Sequence, residues 1–118
     1  MSATPVEIRY ERASRTLFVS FDDGSAFELP AEYLRVESPS AEVQGHGPSQ
    51  RKYIGGRRMV GITAIEQVGV YAVRLVFDDL HDTGIYSWEY LHEMGRERDA
   101  RWAAYLRAIE ARGLSRDP

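Results

Sequence analysis

The chain contains no cysteine. That excludes a disulfide framework, a thiolate nucleophile and any metal centre held by cysteine sulfur. No apolar run approaches the ~20 residues needed to cross a bilayer, and Met1-Ser2-Ala3-Thr4-Pro5 lacks a signal peptide's apolar stretch. Neither sign of charge dominates. Fifteen Lys and Arg stand against 18 Asp and Glu, for a formal net charge of −3, so no general attraction to nucleic acid or anionic membrane arises. The cytoplasm is the default compartment on these grounds. Catalytic signatures are missing too. There is no Gly-x-Ser-x-Gly nucleophile elbow, no phosphate loop and no dinucleotide fingerprint. A 2-His-1-carboxylate iron site usually contains an acid two positions after a histidine, and His46, His81 and His92 all lack one. Catalysis is not expected. What remains is an ordinary globular composition, 43% hydrophobic and 28% charged over 118 residues, enough for one domain with one core.

The most informative positive feature is an internal repeat. Phe21-Asp22-Asp23-Gly24-Ser25-Ala26-Phe27-Glu28-Leu29-Pro30-Ala31-Glu32-Tyr33-Leu34 recurs as Phe77-Asp78-Asp79-Leu80-His81-Asp82-Thr83-Gly84-Ile85-Tyr86-Ser87-Trp88-Glu89-Tyr90-Leu91. Each copy reads as strand, acidic turn, strand, helix. Alternation over Val6–Tyr10 and β-branched and aromatic residues over Thr16–Phe21 predict two strands, and Asp22-Asp23-Gly24-Ser25 a hairpin turn into a third, Ala26–Leu29. Pro30 opens a helical turn running to about Val36. In the second copy, strands are expected over 62–68 and 70–77 around Gly69, then Ile85-Tyr86, with Ser87 capping a helix to Met94 that Gly95 breaks. A final amphipathic helix is predicted from about Arg96 to Arg112, ended by Gly113, followed by a tail. The expectation is an α+β fold: two pseudo-repeated antiparallel ββ(β)α units around one core over residues 5–95, a C-terminal helix over 96–112 packing on it, and a tail over 113–118. Tyr86, Trp88, Tyr90, Trp102 and Tyr105 read as packing residues, with Trp88, Trp102 and Leu106 holding the core, and His92 as a surface residue. Residues 37–61 hold five of the ten glycines and read as a long loop, functional or disordered.

Three features offer chemistry. His81 sits among Asp78, Asp79 and Asp82, as a divalent-metal ligand or base would; it also reads as a turn histidine bonded to a neighbour. His46 lies between Gly45 and Gly47, four residues after Glu42, in a loop that also reads as mobile surface. If that loop folds over the second turn, Glu42, His46 and His81 converge on one ion. Arg51, Lys52, Arg57 and Arg58 form a basic cluster, read here as solvated, so a nucleic-acid role ranks last.

The second acidic hairpin, together with Leu34-Arg35-Val36-Glu37-Ser38-Pro39-Ser40-Ala41-Glu42-Val43-Gln44-Gly45-His46-Gly47, resembles the DUF971 family, also known as the gamma-butyrobetaine-hydroxylase-like N-terminal domain. The resemblance spans roughly Pro5 to Met94. It implies an accessory domain, found alone in bacteria, ahead of oxygenase domains, or fused to an ATPase of iron–sulfur cluster assembly. In the hydroxylases such a domain holds structural zinc through Cys-x-Cys-x-x-Cys and one hairpin histidine. Here the histidine position is His81 and the cysteine positions are Ser38, Ser40 and Val43, so the hydroxylase-type three-cysteine zinc site is absent. The remaining donors, Glu42, His46 and His81, suit zinc or iron as single divalent ions. The sequence reading is thus a non-enzymatic cytoplasmic accessory module with a protein partner, binding a divalent metal, in iron–sulfur or oxygenase metabolism. Its rivals are a metal-dependent enzyme using His81 and His46, and a metal-free homodimeric assembly module signalled by an apolar patch on the C-terminal helix.

Overall fold

A computed structural model describes residues 3–118. Met1 and Ser2, the start of the stretch read above for a signal peptide, lie outside the described residues. Each copy of the repeat builds one three-stranded antiparallel sheet. β1 (Pro5–Glu11), β2 (Thr16–Phe21) and β3 (Ala26–Pro30) form the first, in that order. β4 (Ile62–Val68), β5 (Ala72–Phe77) and β6 (Gly84–Ser87) form the second. The duplication reaches into backbone detail. The register slips between Pro5 and Glu7 in β1 and between Ile62 and Ala64 in β4, and both slips lie next to the repeated phenylalanine, Phe21 or Phe77. The next amide closes the bulge each time: Asp22 N–H donates to the Thr4 carbonyl and Asp78 N–H to the Gly61 carbonyl, both at 2.9 Å. The expected α+β arrangement of two antiparallel ββ(β)α units stands.

A helix follows each sheet, α1 (Ala31–Val36) after β3 and α3 (Trp88–Arg96) after β6. The loop between the copies holds the short α2 (Ala41–Gln44) and a 3₁₀ turn at Pro48–Gln50, and α4 (Arg98–Ala111) ends the helical part of the chain. All six residues of α1 are buried, including Glu32 and Arg35. A buried charge is costly unless it is paired. Glu32 is accordingly gripped by Arg116 at 2.7 and 2.9 Å, and Arg35 by Asp79 at 2.7 Å. Around α1 lies one core of Leu17, Val19, Leu29 and Leu34 from the first copy and Leu75, Phe77, Tyr86, Leu91 and Met94 from the second. Each such side chain contributes about 1.5–3 kcal/mol relative to exposure, so neither sheet is stable without the other's inner face.

Some local expectations change. Strand β5 starts at Ala72, because Gly69, at φ +56°, makes the hairpin turn together with Val70 and Tyr71. Gly95 does not break α3 but lies inside it, and the helix ends at Glu97, after Arg96. A Cβ at Gly95 would overlap the Phe27 ring, so the glycine permits close packing of α3 on β3. Trp88, Trp102 and Leu106 sit at the margin of the core, half-buried; of the five aromatics read as packing residues, Tyr86 and Tyr105 are buried. His92 is half-buried between the rings of Phe21 and Phe27. The tail is pinned: Gly56 N–H donates to the Ser115 carbonyl at 2.8 Å, and Arg58 N–H to that of Arg116 at 3.0 Å.

Gly95→Ala tests this account. Alanine favours a helix by about 1 kcal/mol over glycine, but overpacking against Phe27 costs about 1–3 kcal/mol. Urea denaturation should show a net loss of stability; a gain would mean that Phe27 moves aside freely.

Candidate functional site

The two acidic hairpins are the same turn. Phe21 N–H bonds the Ser25 carbonyl at 2.8 Å and Phe77 N–H that of His81 at 2.9 Å. Asp23 Oδ1 accepts from Ser25 N–H at 2.9 Å, and Asp79 Oδ1 from His81 N–H at 3.1 Å. His81 therefore replaces Ser25, and Leu80 replaces Gly24. Gly24 takes φ +88° without steric cost, whereas Leu80 holds φ +75° with its side chain 88% exposed. A left-handed conformation costs a non-glycine residue about 1–2 kcal/mol.

Each copy's helix then docks on the other copy's hairpin. Arg35 and His92 occupy the same position, four residues after the starts of α1 and α3. Arg35 Nε donates to Asp79 Oδ2 at 2.7 Å, and His92 Nε2 lies 2.8 Å from Asp23 Oδ2. The packing beneath differs. In the first copy Phe27 fills the space that Gly95 leaves; in the second the large and small partners exchange sides. Gly84 leaves the space there, and a Cβ on it would stand 2.6 Å from Ser38 Oγ. Ser38 enters that space and meets His81.

This corner is closed by hydrogen bonds. Ser38 Oγ, fully buried, lies 2.9 Å from His81 Nε2 and accepts from Ser40 N–H at 3.3 Å. Ser40 caps α2 through Glu42 N–H at 3.1 Å, and its hydroxyl meets Thr83 Oγ1 at 2.6 Å. Thr83 also donates to Glu42, whose Oε1 is 3.8 Å from His81 Nδ1. Burial pushes the His81 pKa down, reinforced by the nearby Arg35 guanidinium, against the opposing pull of Glu42, Asp79 and Asp82. Asp79 is the anchor. Burial raises its pKa, but the His81 amide and the two guanidinium groups of Arg35 and Arg57, each 2.7 Å from Oδ2, outweigh that and leave it lowered.

The sequence candidates separate. Glu42 and His81 come together. His46 is exposed, with its amide bonded to Gln50 Oε1 at 3.0 Å, and forms no hydrogen bond or ion pair with either. Among the described residues no three His, Asp or Glu side chains are gathered as metal ligands. Ser38 and Ser40 do converge on the His81 hairpin, while Val43 is buried and apolar. Two hydroxyls already engaged, one valine and one imidazole do not fit a zinc ion that prefers thiolate and nitrogen donors. A Ser–His–carboxylate alignment invites a hydrolase reading. Two facts oppose it: Ser38 is 0% exposed, and 3.8 Å is beyond a hydrogen bond from His81 to Glu42. Of the basic cluster, Arg51, Arg57 and Arg58 pair with Glu37, Asp79 and Asp117. Sequence reasoning missed the roles of Arg35, Glu37 and Thr83; the one available signal was that Arg35 and His92 are equivalent in the repeat.

Two outcomes follow. Asp79→Ala leaves Arg35 buried with its charge uncompensated, and should cost about 3 kcal/mol in denaturant unfolding. The equivalent Asp23→Ala, at an exposed turn, should cost clearly less. A histidine with a lowered folded pKa binds its proton more readily when unfolded. His81 thus contributes stability fully above its ordinary value of 6.5, and this is lost as pH falls below that value toward the folded pKa. Melting temperature should drop over that window, with a shallower slope in His81→Gln; equal slopes would refute the assignment.

Similarity to known proteins agrees with this architecture. The sequence model of the family described as "Gamma-butyrobetaine hydroxylase-like, N-terminal" matches residues 8–92. Two solution NMR structures of proteins are each 44% identical: one has a TM-score of 0.86, with 100% of this chain and 93% of that chain covered, and the other 0.85, with 99% and 87%. A crystal structure from Acidithiobacillus ferrooxidans ATCC 23270, of a DUF971-family protein with unknown function, is 38% identical at a TM-score of 0.66, covering 78% of this chain and 92% of that one. No curated protein matches. The chain belongs to the gamma-butyrobetaine-hydroxylase-like N-terminal family, DUF971.

Proposed function

We propose that this chain is a non-enzymatic accessory module that presents its second hairpin to a protein partner, with the corner behind that hairpin held by hydrogen bonds in place of metal. The observation that carries the reading is Leu80. An apolar side chain 88% exposed, at a φ of +75° where the first copy has glycine, lowers stability and adds no packing of its own. An apolar side chain held out in solvent at that cost is available for a partner to cover, which would remove its apolar surface from water. Asp79, Ser38 and His81 fix the backbone on either side, so Leu80 stands on a rigid base. The groups that would otherwise do chemistry are consumed in that bracing. Family resemblance suggests iron–sulfur or oxygenase metabolism as the setting and the cytoplasm as the compartment.

A second reading has one observation in its favour. His81 Nδ1 faces Glu42 Oε1 at 3.8 Å, so a modest rotation would offer a divalent zinc or iron ion two donors, with His46 to be brought in from the loop. Metal analysis of untagged protein separates the two. The accessory reading expects zinc and iron at background in the wild type and in His81→Ala. Stoichiometric metal in the wild type, lost in His81→Ala, would establish the metal-binding reading instead. Leu80→Gly should leave melting temperature unchanged or higher, yet abolish capture of the protein partner that the wild type retains.

A further inference from the structure

We infer that β1 is a self-association edge, at which two copies of this chain join antiparallel, β1 against β1, into one continuous six-stranded sheet. This goes beyond the accessory reading, because it concerns a strand edge of the first sheet, not the Leu80 hairpin of the second, and names another molecule of this chain as occupant. The first observation is an uncovered edge. Of the strands at the sheet margins, β3 is engaged by α3 and by Arg98, which donates to the Glu28 carbonyl at 2.8 Å; β6 lies against Ser38. β4 receives Tyr10 Oη at its first amide, 3.1 Å from Ile62 N. Among the described residues, no group outside β2 hydrogen-bonds the β1 backbone. An unpaired strand edge is a template for another strand.

The second observation is apolar surface beside that edge. A groove of roughly 540 Å³ lies between it and the second sheet, with Val6, Ile8, Ile65 and Val70 but also Glu7 and Gln67 in its lining. Val6 is 67% exposed and Val70 87%.

The third observation selects the occupant. Along β1 the outward residues are Glu7, Arg9 and Glu11, and the inward ones Ile8 and Tyr10. Pairing two copies antiparallel about Ile8 sets Glu7 opposite Arg9 of the second copy, and Arg9 opposite its Glu7. It also sets Ile8 on Ile8. Both charged pairs at the centre of that register are of opposite sign. Opposed charges and apolar pairs at facing positions stabilise an antiparallel ladder, while like charges there destabilise it. The same exercise on β4 gives no charge match, because Glu66 falls opposite Ala64. A strand protected against pairing carries charges of one sign; β1 alternates them, which suits its own reversed copy.

Sedimentation equilibrium over a concentration series up to about 1 mM reads the result. The wild type should show a monomer–dimer equilibrium. Arg9→Glu places acid opposite acid at both symmetric contacts and should weaken association about tenfold. Glu7→Arg combined with Arg9→Glu restores opposite signs and should recover it. Both side chains are exposed, and unchanged circular dichroism melts would show that the fold is intact. A wild type monomeric throughout overturns the inference. A dimer indifferent to both variants also overturns it, by moving the contact to another face. Neither result touches the accessory reading, which is decided by metal content and by Leu80.

Discussion

A single carboxylate, Asp79, organises the functional end of this molecule. One of its oxygens accepts from the guanidinium groups of Arg35 and Arg57, and the other from the His81 amide. It therefore joins the buried helix of the first copy, the long inter-repeat loop and the second hairpin. Arg35 Nη1 finds no protein acceptor, so the Asp79 contact is what makes burial of that guanidinium tolerable. The fold depends on a charge that cannot be removed from one partner alone.

Around this constraint a near-symmetric duplication became asymmetric. Both copies share strands, bulges, turn bonds and a polar helix-to-hairpin contact on the turn aspartate. The difference lies in which partner is large. Phe27 against Gly95 makes a packed apolar contact in one half; Gly84 against Ser38 makes a buried polar one in the other. In the polar half, hydroxyls, imidazole and carboxylate satisfy one another through several modest hydrogen bonds, each worth about 1 kcal/mol net but costly to strand.

The rest of the loop follows the same logic. It is ordered by specific contacts, with Lys52 N–H on the Val43 carbonyl at 2.7 Å, Tyr105 Oη on that of Ile54 at 2.5 Å, and the tail laid against Gly55 and Gly56. Of the arginines that looked like a basic cluster in sequence, Arg51 and Arg57 are counter-ions for the buried or partly buried acids Glu37 and Asp79, and Arg58 pairs with the exposed Asp117. Glu37, only 3% exposed, takes both Arg51 and Arg101. The spacing of the clustered arginines carried no hint of their partners, which lie up to 59 residues away. The large exposed apolar side chains likewise do not lie on α4, where a patch would have signalled the rival metal-free assembly module, but on strands, hairpin tips and loops.

By itself the sequence determined the local structure: the repeated strand–turn–strand–helix unit, the acidic turns, the Ser87 cap and the α+β class. These are short-range consequences of period-two alternation, turn chemistry and capping, which neighbouring residues dictate. It also determined that Ser38, Ser40 and Val43 cannot supply thiolates. Only the tertiary structure decided that Ser38 and Ser40 meet the His81 hairpin while His46 stays outside, that Gly95 serves packing, and that Leu80 bears a glycine's conformation in solvent. Those outcomes depend on which copy's helix packs on which copy's hairpin. That is a matter of volumes and charges brought together across the core, and no spacing along the chain records it.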